Sequence, residues 1–412
     1  MLVNNGSAFH GWHRFVLSFS PALVKHYIDC FGLKKYSVLL DPFCGMGTTL
    51  VEAKMNGITA IGLDANPFAC FVSSTKVDWD VNPDELCKIA NEIASESEIL
   101  YKNKDESFFN NLKYKLEISD DLILNKSISY APFCKVLVLA DIIKRFEKSK
   151  FYNKLLLALA NITIYIASNV KFCPEPSVKE IKADAPVIKA WLMKIYEMAR
   201  DLRSVDPRAY PDAKVHLGDA RRADALLPPQ SIDAVITSPP YPNEKDYTRI
   251  TRLELVLLGF VKNDGDIRKI KESLICSSTR NVKKEDNNDE QFADKIEIVE
   301  KIVDEIEYRR LALGKDSGFE KLYGTVTRRY FGGMARHLAA LRSTLRPGAQ
   351  LAYVVGDQCS YLRVTIQTGR LLAEIARGLG YDLVRIDPYR TRFASKTRAE
   401  LREEVVVLRW NG

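Results

Sequence analysis

The stretch from Ser37 to Asn66 constrains this chain more than any other. SVLLDPF (37 to 43) is an apolar run of β character, CGMGTT turns the chain through two glycines, TLVEAKMNG has helical spacing, and TAIGLDAN (59 to 66) is a second apolar run that reaches Asp64. Strand, tight turn, helix and strand in so short a span predict a βαβ unit at the head of a parallel sheet. Such sheets carry helices on both faces, so the expected class is α/β.

The same rhythm returns further on. AKVHLGDAR (213 to 221), SIDAVITSPPY (231 to 241), AQLAYVVGD, YDLVRIDP and EEVVVLRW read as strands. SPALVKHYIDCFGL (20 to 33) reads as a helix with Ser20 as N-cap, Pro21 in its first turn and Gly32 as its stop. DYTRITRLELVLLGF (246 to 260) begins another helix, and GGMARHLAALRSTL a third, ended by Arg346-Pro347-Gly348. TIQTGRLLAEIARGLG supplies one more before the final two strands.

Two stretches interrupt the alternation. Residues 80–205 are rich in helical spacing and too long for one crossover helix, which predicts an inserted helical subdomain. Residues 262–325 are highly charged (NVKKEDNNDEQ) and predict a mobile loop plus one helix. The expected organisation is therefore 1–79, the helical insertion 80–205, 206–261, the charged insertion 262–325, and 326–412.

Composition narrows the class. A hydrophobic share of 46% supports a sizeable core and argues against disorder. No run of 18 apolar residues occurs, and MLVNNGSAFHGWHR lacks the basic-then-apolar pattern of a signal peptide, so a cytoplasmic protein away from the membrane is expected. The eight cysteines are scattered, with no CxxC and no zinc spacing, which predicts reduced thiols and no metal. The net charge of +7 is uneven: from Lys321 onward the chain carries 16 Lys/Arg, 14 of them Arg, against 7 Asp/Glu. Arginine suits bidentate phosphate contacts, although a basic surface alone also accounts for the excess.

The chemistry-bearing stretches are few. The glycine turn DPFCGMGTT lets backbone approach a ligand and points helix N-terminal amides at it. It is not a phosphate-binding P-loop, because no Gly-Lys-Ser/Thr follows, and it lacks the full GxGxxG. Asp64, at the end of the second strand, is placed either to accept from ribose hydroxyls or to cap the helix beginning near Pro67. Asp219, in LGDAR, is a second strand-end carboxylate or a turn residue. SPPY (238 to 241) leaves a buried strand through two prolines, forming either a rigid turn or a pocket wall.

DPFCGMGTT together with the downstream SPPY resembles the S-adenosylmethionine-dependent amino-methyltransferases of DNA, which carry FxGxG and [DNS]PP[YF] motifs. The Ser-first form is most like the branch that methylates N4 of cytosine. The resemblance covers the strand-bearing parts and not the insertions. It implies a Rossmann-like methyltransferase fold with a mostly parallel sheet, S-adenosylmethionine as cofactor and double-stranded DNA as substrate. Its roles fall on Phe43, Gly45, Gly47 and Thr48 as the cofactor loop, Asp41 toward the methionine amino group, Asp64 on the ribose and Asp219 near the adenine. Phe19 and Ser20 match a segment that helps hold the methionine end.

Ser238, Pro239, Pro240 and Tyr241 would form the catalytic corner. An exocyclic amine is a poor nucleophile because its lone pair is delocalised into the ring. Acceptors such as the Ser238 hydroxyl and the Pro239 carbonyl would favour its pyramidal form, which is stabilisation aimed at charge developing in the transition state. Tyr241 would stack on a base flipped out of the duplex. Arg249 and Arg252, three apart on one helix, and Arg390 and Arg392 in DPYRTRF would contact phosphate, with surface charge as the plainer reading.

Asp246 reads more simply as a cap than as a base. A nuclease of the same restriction-modification system would be a partner. An adenine-N6 enzyme, an RNA guanine-N2 enzyme and a non-catalytic binding protein remain alternatives, although Ser238 in place of Asp argues against the RNA enzyme.

Overall fold

The computed structural model describes residues 8–15, 18–123, 126–172, 176–178, 180–242, 245–282, 289–293, 296–316, 318–394 and 399–412. Seven strands form one sheet: β1 (Val38–Asp41), β2 (Thr59–Asp64), β3 (Ala213–Leu217), β4 (Ile232–Thr237), β5 (Leu345–Gly356), β6 (Asp382–Ala394) and β7 (Ala399–Arg409). Their spatial order is β3-β2-β1-β4-β5-β7-β6. The first five run parallel, while β7 lies antiparallel to both β5 and β6. This is a Rossmann-like methyltransferase fold, a doubly wound sheet whose order reverses between β1 and β4.

Local chemistry explains the helices that follow the first strands. In α1 (Pro21–Cys30) the Ser20 hydroxyl accepts from Ala22 N and Pro21 opens the first turn. Gly32, at φ +62°, then lets Leu33 N reach the carbonyl of Ile28 and end the helix. α2 (Thr48–Met55) begins directly at Gly47, and α3 (Pro67–Val77) is capped by the Asn66 side chain, which accepts from Phe68 N.

The two-residue period of the strands sorts their side chains into two cores. Leu39, Ala60, Ala234, Ile236, Val354, Val405 and Val407 face one side, whereas Leu40, Leu63, Val235, Tyr353, Val355, Val406 and Leu408 face the other. The first face is covered by α1 to α3 and by the helices of the first insertion. These are α4 (Pro83–Asn103), α5 (Glu106–Lys115), α6 (Tyr130–Lys144), α7 (Tyr152–Ile162) and α8 (Val187–Arg203).

They share one hydrophobic cluster with the sheet face and so form an inserted helical layer upon it. Asp201 of α8 pins the N-terminal segment there, with Oδ2 accepting from Phe9 N and Trp12 Nε1 at 3.0 Å each. The opposite face is covered by α9 (Ala223–Leu226) and by later helices.

After β4 come α10 (Tyr247–Ile250) and α11 (Arg252–Leu257), where the sequence suggested one helix. The break falls at Thr251, whose hydroxyl bonds back to the Tyr247 carbonyl and accepts from Asn66 Nδ2. The charged insertion holds three described helices rather than one: α12 (Asp264–Ser273), α13 (Asp289–Ala293) and α14 (Glu297–Ala312). Residues 283–288 and 294–295 lie outside the described residues.

α15 (Tyr323–Leu341) ends before Arg346-Pro347-Gly348, which are already part of β5, with Gly348 at φ +88°. α16 (Thr368–Gly378) packs on the second face before the β6–β7 hairpin. Among the described residues no helix is long and apolar enough to cross a membrane.

Candidate active site

A cavity of about 410 Å³ opens at the carboxyl ends of the parallel strands, where the sheet order reverses. Phe43, Gly45, Thr48, Asp64 and Asp219 line one part of it, and Ser238 to Tyr241 line another. The two sequence motifs, far apart in the chain, therefore share one pocket.

The glycine turn is built by backbone conformation and by one carboxylate. Gly45 and Gly47 sit at φ +48° and +80°. A Cβ on Gly47 would lie 2.9 Å from Ser73 Cβ, so α3 packs too close for a side chain there. Gly47 does not line the cavity; it shapes the turn that brings Gly45 and Thr48 to the wall. The buried ammonium of Lys76 holds the Met46 carbonyl at 2.9 Å, and desolvation lowers its pKa to about 7.

Asp64 is a linchpin of this turn. Its Oδ2 accepts from Gly45 N at 2.9 Å and its Oδ1 from Asn66 N at 2.8 Å. The N-cap of α3 is Asn66, so the capping role weighed for Asp64 belongs to its neighbour. Burial pushes the Asp64 carboxyl up to about 6, against the opposing backbone hydrogen bonds.

Asp41 is fully buried and lies outside the cavity lining. Its Oδ1 accepts from Thr237 Oγ1 at 2.6 Å and from Phe43 N at 3.1 Å, while its buried Oδ2 has no hydrogen-bond partner among the described residues. Burial raises this carboxyl to about 6 as well.

Asp219 lines the cavity and is also a turn residue, accepting from Arg221 N at 2.8 Å. Its carboxylate is gripped by the Arg221 guanidinium, itself buried between Asp219 and Asp289. The reading of the sequence did not reach Arg221; the Asp-x-Arg spacing was the available signal.

At the Ser-Pro-Pro-Tyr corner, Ser238 Oγ donates to the Val354 carbonyl at 3.1 Å, and the Tyr241 hydroxyl lies 3.5 Å from it. With its hydrogen committed to β5, the Ser238 oxygen keeps its lone pairs as acceptors. Pro239 is buried, and Pro240 and Tyr241 are half-buried.

Phe19 lines the cavity, but Ser20 does not: its hydroxyl is spent on capping α1, and Ser18 lines the cavity instead. Arg249 and Arg252 do not line the cavity, although Tyr247 and Thr251 beside them do, and Arg252 Nε reaches the Thr248 carbonyl at 3.3 Å. Asp246 caps α10 through Thr248 N and Arg249 N and pairs with Lys271 at 2.8 Å. Arg390 lines the cavity and pairs with the buried carboxylate of Glu403. The side chain of Arg392 lies outside the described residues. Phe15, Tyr247 and Glu403 also line the cavity, and no local pattern in the sequence marks them.

The DNA methylase family matches residues 4–74, which include the glycine turn and Asp64. The type II methyltransferase M.BsoBI of Geobacillus stearothermophilus is 27% identical over 93% of this chain and 80% of its own length. The chain is therefore similar to the DNA amino-methyltransferases, over nearly its whole length. The type II methyltransferase M.AvaI of Nostoc sp. is 23% identical over 93% of this chain and 81% of its own length. M.MjaII of Methanocaldococcus jannaschii is 32% identical over a shorter stretch, 24% of this chain and 18% of its own.

The enzyme is thus a DNA methyltransferase that uses S-adenosylmethionine. The pocket suits that cofactor: Asp64 and Asp219 present carboxylates to a ligand that is cationic at sulfur and rich in hydroxyl and amine donors. The glycine turn and the N-terminus of α2 leave backbone within reach of it.

Proposed function

We propose that this methyltransferase acts on N4 of cytosine flipped out of a specific double-stranded site. The observation that carries this reading is the Ser238 hydroxyl, committed as donor to Val354 and therefore free to accept from the target amine. S-adenosylmethionine, when bound, supplies an electrophilic methyl group. Ser238 Oγ and the Pro239 carbonyl accept from the two amine hydrogens and direct the nitrogen lone pair across the pocket. The Pro-Pro pair holds that carbonyl in a fixed direction. Tyr241 stacks on the base.

No strong base stands at position 238, and the Asp246 carboxylate is engaged by Lys271 and by its own helix N-terminus. As the S–CH3 bond breaks and the N–CH3 bond forms, the methylated nitrogen takes on the positive charge that leaves sulfur, so its proton is acidic enough to leave to solvent.

In this reading Phe19, Phe43, Gly45, Thr48, Asp64 and Asp219 hold the cofactor. Asp41 and Gly47 act from behind the wall, and Ser20 acts through α1. Arg249, Arg252 and Arg392 meet phosphates. The helical layer 80–205, with 262–325, reads the target, and the enzyme works in the cytoplasm beside a nuclease of the same specificity, as type II methyltransferases are paired.

The test is mass spectrometry of nucleosides from DNA of cells expressing the protein, with the modified positions mapped. N4-methylcytosine at a fixed sequence is expected. N6-methyladenine alone would move the target to adenine. Absence of any modified base, together with no S-adenosylmethionine binding by calorimetry, would point to a non-catalytic binding protein.

A further inference from the structure

Arg390 was expected to hold a phosphate, yet its surroundings suit a different task. It lies on the cavity wall with Ser238 and Tyr241, close enough to Tyr241 for the two to interact electrostatically. Its Nε donates to Glu403, whose carboxylate is only 4% exposed, and its guanidinium sits 5.3 Å from the Tyr389 ring. A buried carboxylate and an aromatic face fix a guanidinium in place, as is needed to read a planar edge. The Arg390 side chain itself is 55% exposed, so its head reaches into the open part of the cavity while Glu403 anchors it.

The sheet explains the placement. Ser238 bonds to Val354, Val354 lies opposite Val405, and two residues along β7 Glu403 lies opposite Arg390. The pairing of β6 with β7 is irregular between Pro388 and Arg390. Such bulges re-aim side chains and gather near active sites. Among the described residues, the two Nη nitrogens of Arg390 make no hydrogen bond.

We propose that Arg390, held by Glu403, reads the Watson–Crick edge of the flipped base and selects cytosine over adenine. This rests on the cytosine-N4 reading above. Beside its amine, cytosine presents two acceptors in sequence, N3 and O2. Adenine presents one acceptor, N1, and then a C–H. A guanidinium with two free nitrogens pairs with both acceptors of cytosine, but against adenine one donor faces a C–H and gains no bond to the base. Ser238 then takes the amine and Arg390 the rest of the edge.

The test uses the full-length enzyme, unmethylated genomic DNA and labelled S-adenosylmethionine, with N4-methylcytosine and N6-methyladenine counted separately. Arg390→Ala should lower turnover at saturating DNA by roughly 10- to 100-fold, the range a good two-pronged base contact supplies. Half-saturating DNA, its salt dependence and cofactor affinity should stay unchanged, and the share of N6-methyladenine should rise. Arg390→Lys and Glu403→Gln should fall between wild type and Arg390→Ala in turnover. They carry the test if Arg390→Ala does not fold.

Full turnover in Arg390→Lys or Arg390→Ala would overturn the proposal. So would a loss confined to DNA affinity with a salt slope reduced by about one, the mark of a phosphate contact. A wild-type enzyme making only N6-methyladenine would instead remove the cytosine reading itself.

Discussion

Thr237 Oγ1 donates a 2.6 Å hydrogen bond to Asp41 Oδ1, and both side chains are fully buried. Asp41 ends β1 and Thr237 ends β4, the two strands flanking the point where the sheet order reverses. The same oxygen accepts from Phe43 N, so one carboxylate ties the start of the glycine turn to the strand that leads into SPPY. The glycine turn and the Ser-Pro-Pro-Tyr corner are thereby fixed relative to each other.

Thr237→Val should expose that dependence. It removes a donor from a buried carboxylate while keeping volume, at a cost of about 1 to 3 kcal/mol. Urea denaturation should show the loss, and turnover should fall more than DNA affinity does. Unchanged stability and turnover would mean that the carboxylate does not couple the two segments.

Asp41 and Asp64 both have carboxyls raised by burial from 3.8 to about 6. Between those values the folded state binds more protons than the unfolded one, so this contribution to stability is present at low pH and lost as pH rises through about 6. Asp41→Asn removes one of the two ionisations. Its stability relative to wild type should therefore improve between pH 5 and pH 7, by about 1 to 3 kcal/mol. Denaturant midpoints at the two pH values check this, and a difference that stays flat or moves the other way would refute the raised carboxyl.

Gly47→Ala and Gly57→Ala should differ sharply. Both glycines have positive φ, +80° and +72°, but only at Gly47 would a Cβ meet backbone, 3.0 Å from Ser73 Cα. Gly57→Ala should cost about 1 kcal/mol for the left-handed conformation alone. Gly47→Ala should cost roughly 2 to 5 kcal/mol, because α3 must also move. It should weaken cofactor binding as well, read by calorimetry. Equal melting temperatures for the two variants would contradict the packing argument.

Pro239→Ala and Tyr241→Ala should abolish methyl transfer while S-adenosylmethionine still binds. Ser238→Ala should lower turnover by about 10- to 100-fold, as expected for one lost transition-state acceptor. If these variants instead lost cofactor binding, the separation between cofactor loop and catalytic corner would be wrong.

Asp64→Ala should do two things at once. It frees Gly45 N and Asn66 N from their acceptor, which loosens the turn by about 1 to 3 kcal/mol, and it removes a pocket carboxylate. Asp64→Asn keeps an acceptor oxygen and should restore most of the stability without the cofactor affinity. Equal affinity in Asp64→Asn and wild type would leave Asp64 a purely structural residue.

The sequence by itself determined the parallel α/β sheet, the glycine turn, the caps of α1 and α2's abrupt start, and SPPY as a strand exit. Each rests on interactions within a few residues, so the local pattern carries them. Ser20 illustrates the limit: its capping geometry was legible, but a cofactor role was also assigned to it, and only the fold shows Ser18 on the cavity wall in its place. Thr251 splits an expected helix because its hydroxyl meets Asn66, which is far away in the chain.

The tertiary structure alone decided that Asp41 stands behind the pocket rather than in it, that Arg221 grips Asp219, and that Glu403 pairs with Arg390 at the cavity wall. These placements depend on strand order and register, which bring residues 41, 238, 354, 390 and 403 to one end of the sheet. No periodicity encodes that order, because it is set by how the whole chain packs its two faces.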